Sequence, residues 1–325
     1  MMIISRTPFR VSFVGGGTDL PSFYTQHQGA VVSMTVNKYV YITVNRRFDE
    51  TLRLSYSKTE IVDQLDHVQH PLFRESLRLA GAHSGIEATS IADVPSGTGL
   101  GSSSSFAVGL LHALHAYQGR HQTAEALAAA ACHLEIDVLG EPIGKQDQYA
   151  AAFGGLRRYR FNTDGSVFVD PVICQAETKR TLLDHLLFFY LGGNRNARQI
   201  LEKQSKQTGQ KIDYLRRLRD LVDRFHAVLV RGTQLEELGA LLHENWVCKK
   251  KLADNVSNSR VDECYEQARK AGALGGKLLG AGQGGFLMIF CAPQKKSAVR
   301  EALQDLREMD FGFEPEGSKI IYVGG

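Results

Sequence analysis

Residues 95–105 read PSGTGLGSSSS, and no other stretch limits the fold of this chain so tightly. Gly97, Gly99 and Gly101 let the backbone turn sharply and approach a ligand closely, and the four serines that follow add hydroxyls at the mouth of the next element. That element is predicted to be a helix. Phe106, Val108, Leu110, Leu111, Leu114 and Tyr117 recur at helical spacing with no proline between them, so Ser102, Ser103, Ser104 and Ser105 fall in the first turn. Unpaired N–H groups and the helix macrodipole favour an anion at such a start. Ala88 to Val94, just upstream, reads as a short strand, and the order strand, glycine loop, helix predicts a cradle for nucleotide phosphates.

A flexible Gly/Ser linker is the alternative. Such a linker would not be opened by Pro95, follow a strand and run at once into an apolar-faced helix. The loop also differs from two familiar phosphate motifs. No lysine follows Gly101, which excludes G-x-x-x-x-G-K-[ST], and the glycines alternate instead of following G-x-G-x-x-G.

At 325 residues the chain is long enough for two domains, and a net charge of +3 gives no sign of nucleic-acid binding while suiting anionic small molecules. The five cysteines form no C-x-x-C pair, so neither a disulfide framework nor a zinc site is expected. His112 with His115, and His67 with His70, have helical spacing but no third ligand nearby, and are read as structural. The N-terminus lacks the uninterrupted apolar core of a signal peptide and no run of 18 apolar residues occurs, so a soluble cytoplasmic protein without membrane contact is expected. Ala30 to Val44 should supply sheet strands, Thr123 to Leu139 an alanine-rich helix, and Gln199–Val230 and Leu235–Val247 charged helices. Gly280, Gly282, Gly284 and Gly285 are expected to connect a helix to the strand FLMIF. The composition changes around 177–181, which places a boundary between domains 1–180 and 181–325.

P-x-x-x-G-L-G-S-S, carried by Pro95, Gly99, Leu100, Gly101, Ser102 and Ser103, resembles the ATP-binding motif of the GHMP kinase superfamily. TPFRVSFVGGGTDLPSFY (7–24) and KLLGAGQGGFLMIF (277–290) resemble its first and third motifs. The resemblance spans almost the whole chain. It implies an α+β, two-lobed fold with a ribosomal-S5-like N-terminal domain, a ferredoxin-like C-terminal domain and an active site in the cleft between them. ATP and Mg²⁺ are implied with it, together with a sugar or sugar phosphate as small-molecule partner; the oligomeric state stays open.

Carried over residue by residue, the resemblance makes Asp147 in GKQDQYAAAFGG (144–155) the group facing the acceptor hydroxyl and Arg10 the cation paired with it. Glu135 and Ser103 become the metal ligands, with Glu135 twelve positions before Asp147, as in galactokinase-like members. Pro95, Gly97, Gly99, Leu100, Gly101 and Ser102–Ser104 are expected to bind ATP, and Asp19, Gly16, Gly17, Gly282 and Gly284 the substrate. Gly16 and Gly17 stand where galactokinase carries Glu-His, which leaves room and argues against galactose. Blocks such as FVGGGTDLPSFY and HENWVCKKKLADNVSN (243–258) look most like the D-glycero-D-manno-heptose 7-phosphate kinases, which phosphorylate the anomeric C1 hydroxyl. Lys145, Arg195, Arg198 and Lys249–Lys251 are candidate anchors for a distal phosphate. The alternatives are a kinase of this fold for fucose, a uronic acid or an N-acetylhexosamine, and a non-catalytic sugar and ATP sensor.

Overall fold

The computed structural model describes residues 1–192, 197–253 and 256–325. One sheet contains β1 (Met2–Val14), β2 (Gly29–Arg46), β3 (Leu52–Ser55), β4 (Thr59–Val62), β5 (Ile86–Ala92), β6 (Leu156–Phe161) and β7 (Val167–Pro171). The second contains β8 (Leu186–Tyr190), β9 (Ala273–Leu278), β10 (Phe286–Cys291) and β11 (Arg307–Glu308), and the last strand, β12 (Lys319–Gly324), returns to the first. The first sheet runs β12-β1-β2-β5-β3-β4 with β6 and β7 branching from β2, and the second runs β11-β8-β10-β9.

The apolar, β-branched run expected to give several strands forms the single long β2. It contains no glycine or proline after Gly29, and its two ends take different partners: Gly29–Met34 pairs with β6 and Val40–Arg46 with β5. β1 is buried at every position from Thr7 to Val14, so both of its faces are covered.

The helices on this sheet include α1 (Pro21–Tyr24), α2 (Pro71–Ala80), α3 (Ser102–Tyr117), α4 (Ala124–Cys132) and α5 (Gln146–Phe153). α3 starts at Ser102, as the sequence predicted. It lies so close to β1 that Ser105 donates to the Pro8 carbonyl at 2.8 Å, and a Cβ on Gly109 would meet Thr7 Oγ1 at 2.7 Å. The expected helix 123–139 is interrupted. α4 stops at Cys132, and His133–Val138 forms a π-helical turn closed by Leu139 N–H donating to the Leu134 carbonyl at 3.0 Å.

Downstream come α6 (Ala176–Asp184), α7 (Ala197–Lys206), α8 (Ile212–Arg231) and α9 (Glu237–Lys250). A 3₁₀ turn over Thr208–Lys211, containing Gly209, breaks the expected long helix into α7 and α8. The glycine-rich loop 280–285 joins β9 to β10, so it is a strand-to-strand hairpin and not a helix exit.

The expected boundary near 180 falls inside α6, between β7 of the first sheet and β8 of the second, but the last strand crosses back over it. β12 pairs antiparallel with β1 from Met2↔Gly324 to Arg6↔Lys319, covering an edge that would otherwise be left open. The two halves also share apolar packing: Phe13 of β1 stacks on Phe225 of α8 with ring centroids 5.4 Å apart. Among the described residues no helix is long and apolar enough to cross a membrane, and the five cysteines are free.

His112 of α3 meets Ser318, next to β12, at 2.9 Å. Burial, with smaller repulsions from His121 and His115, lowers its pKa from 6.5 to about 4. The unfolded chain therefore binds more protons than the folded one between these values, and stability is lost as pH falls from 6.5. His112→Asn, which keeps a hydrogen-bonding group near Ser318 but does not titrate, should flatten the fall in the denaturant midpoint between about pH 6.5 and 5. An unchanged slope would remove His112 as its source.

Candidate active site

Arg10 leaves the buried stretch of β1 and is itself 4% exposed. Its Nε and Nη2 donate to Asp147 Oδ1 and Oδ2 at 2.7 and 2.6 Å, and its Nη1 donates to the Gly99 carbonyl at 2.6 Å. Its backbone N–H bonds the Leu100 carbonyl at 3.0 Å. One residue thus joins strand, glycine loop and the first turn of α5, where a carboxylate also suits the helix dipole. Gly97, Gly99 and Gly101 have φ of 77°, 94° and 75°, the left-handed region that glycine enters freely. A Cβ on Gly101 would sit 3.3 Å from both Arg10 Cγ and Asp147 Oδ2, so the loop presses directly on the ion pair.

Glu135, on the π-helical turn, is 1% exposed. It accepts from Ser103 Oγ at 2.7 Å and from Gln148 Nε2 at 2.6 Å. Burial pushes its pKa up to about 7, against the hydrogen bonds from Ser103, Ser104 and Gln148. No cation of the described residues lies within ion-pair distance of it. A buried carboxylate without a counter-cation beside a hydroxyl is an oxygen donor set of the kind Mg²⁺ takes, so Glu135 and Ser103 fit that ion.

Asp19 follows the turn Gly15–Gly17 and is 3% exposed. Its Oδ1 accepts from Gly17 N–H at 2.9 Å and its Oδ2 from Gln146 N–H at 3.4 Å, while burial and then the charge of Asp147 raise its pKa. These groups line one cleft of about 270 Å³ with residues of the second half: Arg198, Leu201 and Gln204 of α7, Lys249 of α9, Lys277 of β9, and Gly280 with Ala281.

Not every expected residue lies on this cleft. Pro95 is exposed and serves the turn, its carbonyl accepting from Thr98 Oγ1 at 3.1 Å, and Leu100 is wholly buried in the core. Gly282 and Gly284 are buried behind the wall formed by Gly280 and Ala281; a Cβ on Gly282 would lie 2.5 Å from the Val256 carbonyl oxygen. The strand that follows instead touches the loop 95–101 through Phe286 N–H, which donates to the Thr98 carbonyl at 3.1 Å. Lys145 turns away to the Gly165 carbonyl at 2.7 Å, Lys250 pairs with Asp262 at 3.0 Å, and Lys251 is exposed. Arg195 lies outside the described residues. His112 and His115 gather no third ligand, and no group of three His, Cys, Asp or Glu that could hold a metal occurs among the described residues.

Gly16 and Gly17 line the cleft, but only one leaves the expected room. A Cβ on Gly16 would have nothing nearer than 3.7 Å, whereas one on Gly17 would collide with Gln204 Nε2 at 2.4 Å. Ser12, Gln146 and Lys277, inside the blocks 7–24, 144–155 and 277–290 but not expected as site residues, also line the cleft, and so does Gln204, which carries no sequence signal because only the tertiary fold sets the position of α7. Ser12 Oγ, Gln146 Oε1 and Gln204 Nε2 have no protein partner.

A Cβ on Gly144 would fall 2.0 Å from Asp19 Oδ2. Gly144→Ala should therefore displace that carboxylate from its backbone donors and cost about 1–3 kcal/mol. Urea titration checks this through a lower midpoint at unchanged slope; wild-type stability would show that Asp19 is not held as described.

The model of the GHMP kinases N terminal domain matches residues 67–155, and that of the GHMP kinases C terminal matches 227–309. The D-glycero-alpha-D-manno-heptose 7-phosphate kinase of Campylobacter jejuni is 28% identical, over 98% of both chains. The bifunctional fucokinase/GDP-fucose pyrophosphorylase of Arabidopsis thaliana is 25% identical over 93% of this chain, which spans 31% of that protein. A solved structure described as a D-glycero-D-manno-heptose 1-phosphate kinase from Bacteroides thetaiotaomicron shares the fold, with a TM-score of 0.82 at 23% identity over 99% of this chain and 100% of that one. With two family models in order over more than half its length and relatives aligned end to end, the chain belongs to the GHMP kinases, phosphotransferases with an alcohol group as acceptor.

Proposed function

We propose that this chain transfers the γ-phosphoryl group of ATP to the anomeric C1 hydroxyl of D-glycero-D-manno-heptose 7-phosphate, giving the 1,7-bisphosphate. The observation that carries the reading is the make-up of this cleft. A glycine loop and helix start occur with an Arg10-held Asp147, and the second half adds the cations Arg198, Lys249 and Lys277. The end-to-end similarity to the Campylobacter heptose 7-phosphate kinase supports the same acceptor.

The N–H groups at the start of α3 and the loop backbone receive the nucleotide phosphates. Mg²⁺ bound by Ser103 and Glu135 would supply charge neutralisation on those phosphates. Asp147 orients the acceptor hydroxyl and takes its proton. Arg10 occupies one position on each carboxylate oxygen, and the remaining lone pairs of a side chain 23% exposed stay available to the acceptor. Asp19 and the unpartnered Ser12, Gln146 and Gln204 atoms offer a polyhydroxyl acceptor the mixture of donors and acceptors it needs.

A second reading is a free sugar such as fucose. The Arabidopsis fucokinase relative favours it, as does the fact that Arg198 is already paired with Glu141 at 3.0 Å. ADP release measured over a panel of free and phosphorylated sugars separates the two. Heptose 7-phosphate should exceed unphosphorylated heptose, fucose and galactose by about a hundredfold or more in kcat/KM, the worth of two charge-assisted hydrogen bonds at about 1.5 kcal/mol each. Equal or better turnover of a free sugar would transfer the assignment to that sugar.

A further inference from the structure

One of the three cations counted above, Lys277, has not been given a contact of its own. Lys277 of β9 is 1% exposed and lines the cleft, and its ammonium donates to the Phe13 carbonyl at 3.2 Å. Among the described residues no carboxylate stands within ion-pair distance of it. Burial, then repulsion from Lys249 and Arg10, drives its pKa well below the lysine range, and only Asp19 opposes this.

An ammonium carries three donors, and a single carbonyl satisfies one. Leaving such a group buried without a counter-charge is costly, and tying β9 to β1 by one hydrogen bond does not require a charge. The arrangement is complete only when an anion enters the cleft. Lys249, 7% exposed and donating to the Gly280 carbonyl, adds a second positive charge nearby.

Position along β1 indicates which anion. Phe13 lies three residues beyond Arg10, about 10 Å along an extended strand. It stands on the side of the Gly15–Gly17 turn and Asp19, away from the Gly99 and Leu100 carbonyls that tie Arg10 to the nucleotide loop. The carbonyl that holds Lys277 therefore lies toward the Asp19 side of the cleft, with Arg10 and Asp19 both near enough to act on its charge. We propose that Lys277 anchors a phosphate group carried by the acceptor sugar itself, remote from the hydroxyl that reacts; this rests on the reading of the chain as a sugar-phosphate kinase. The same chemistry could come from the γ-phosphate of ATP, so the test must tell the two sources apart.

Lys277→Met keeps the length of the side chain and removes the charge, and Lys277→Gln also keeps a donor for the Phe13 carbonyl. For wild type and both variants, kcat and KM are measured with heptose 7-phosphate and with unphosphorylated heptose, alongside ADP affinity and melting temperature. Both variants should raise KM for heptose 7-phosphate at least tenfold and reduce the preference for the phosphorylated sugar at least tenfold. Any loss of kcat/KM on free heptose should be at least tenfold smaller than on heptose 7-phosphate, with ADP affinity and melting temperature near wild type; if Lys277→Met does not fold, Lys277→Gln is read alone. A preference retained in the variants overturns the inference while leaving the sugar-phosphate reading intact. Lost ADP affinity with intact preference assigns Lys277 to the nucleotide instead, and equal losses on both sugars with a lower melting temperature make it structural. A wild-type enzyme without preference for the phosphorylated sugar overturns both the reading and the inference.

Discussion

Arg10 fixes three separately encoded segments at one point, and the active site follows from that fixation. Its fork grips Asp147 through two charge-assisted bonds, and its third donor holds the Gly99 carbonyl. A lysine offers a point charge instead of a planar fork and would not reproduce this set. Because Arg10 lies in a strand buried on both faces, the glycine loop and α5 are held against a rigid element and not against a mobile surface. On the proposed reading, the nucleotide end and the acceptor end of the cleft then keep a fixed separation, as an in-line transfer requires.

The cleft concentrates ionisable groups that water would otherwise keep charged. Asp19, Glu135 and Lys277 are each almost wholly buried, and for each the desolvation opposes the charged form. Such groups cost stability in the free protein. On the proposed reading they are partners for what the cleft receives: hydroxyls for Asp19, a hard cation for Glu135 with Ser103, and an anion for Lys277. Their hydrogen bonds to Gly17, Gln148 and Phe13 hold them in place beforehand, so less ordering is left for the moment of binding.

What could be read in the sequence was local. Three glycines that need positive φ and serines at a helix start act over short distances and stand where expected, whereas Glu135 and Asp147 came from the family resemblance. Long-range features left no such trace. The return of β12 to the edge of β1 is decided by which edge is open, and a hairpin in place of a helix exit at 280–285 by which strand β10 finds as partner. The π-helical turn that carries Glu135 looks, as sequence, like the end of an alanine-rich helix. Gln204 fills the space beside Gly17, because α7 is laid across it by the fold, while the space at Gly16 stays open. Lys277 opens a glycine-rich motif, and only the packing of β9 against β1 shows that its charge is buried.

The central claim is that Arg10 and Asp147 work as one unit in the chemical step, and a double-mutant cycle on kcat tests it most directly. Arg10→Gln and Asp147→Asn should each lower kcat by roughly 10²–10⁴ with ADP affinity changed only a few-fold, and the double variant should be little worse than the poorer single one. Losses that multiply in the double variant would mean that the two residues act independently, and would contradict the account.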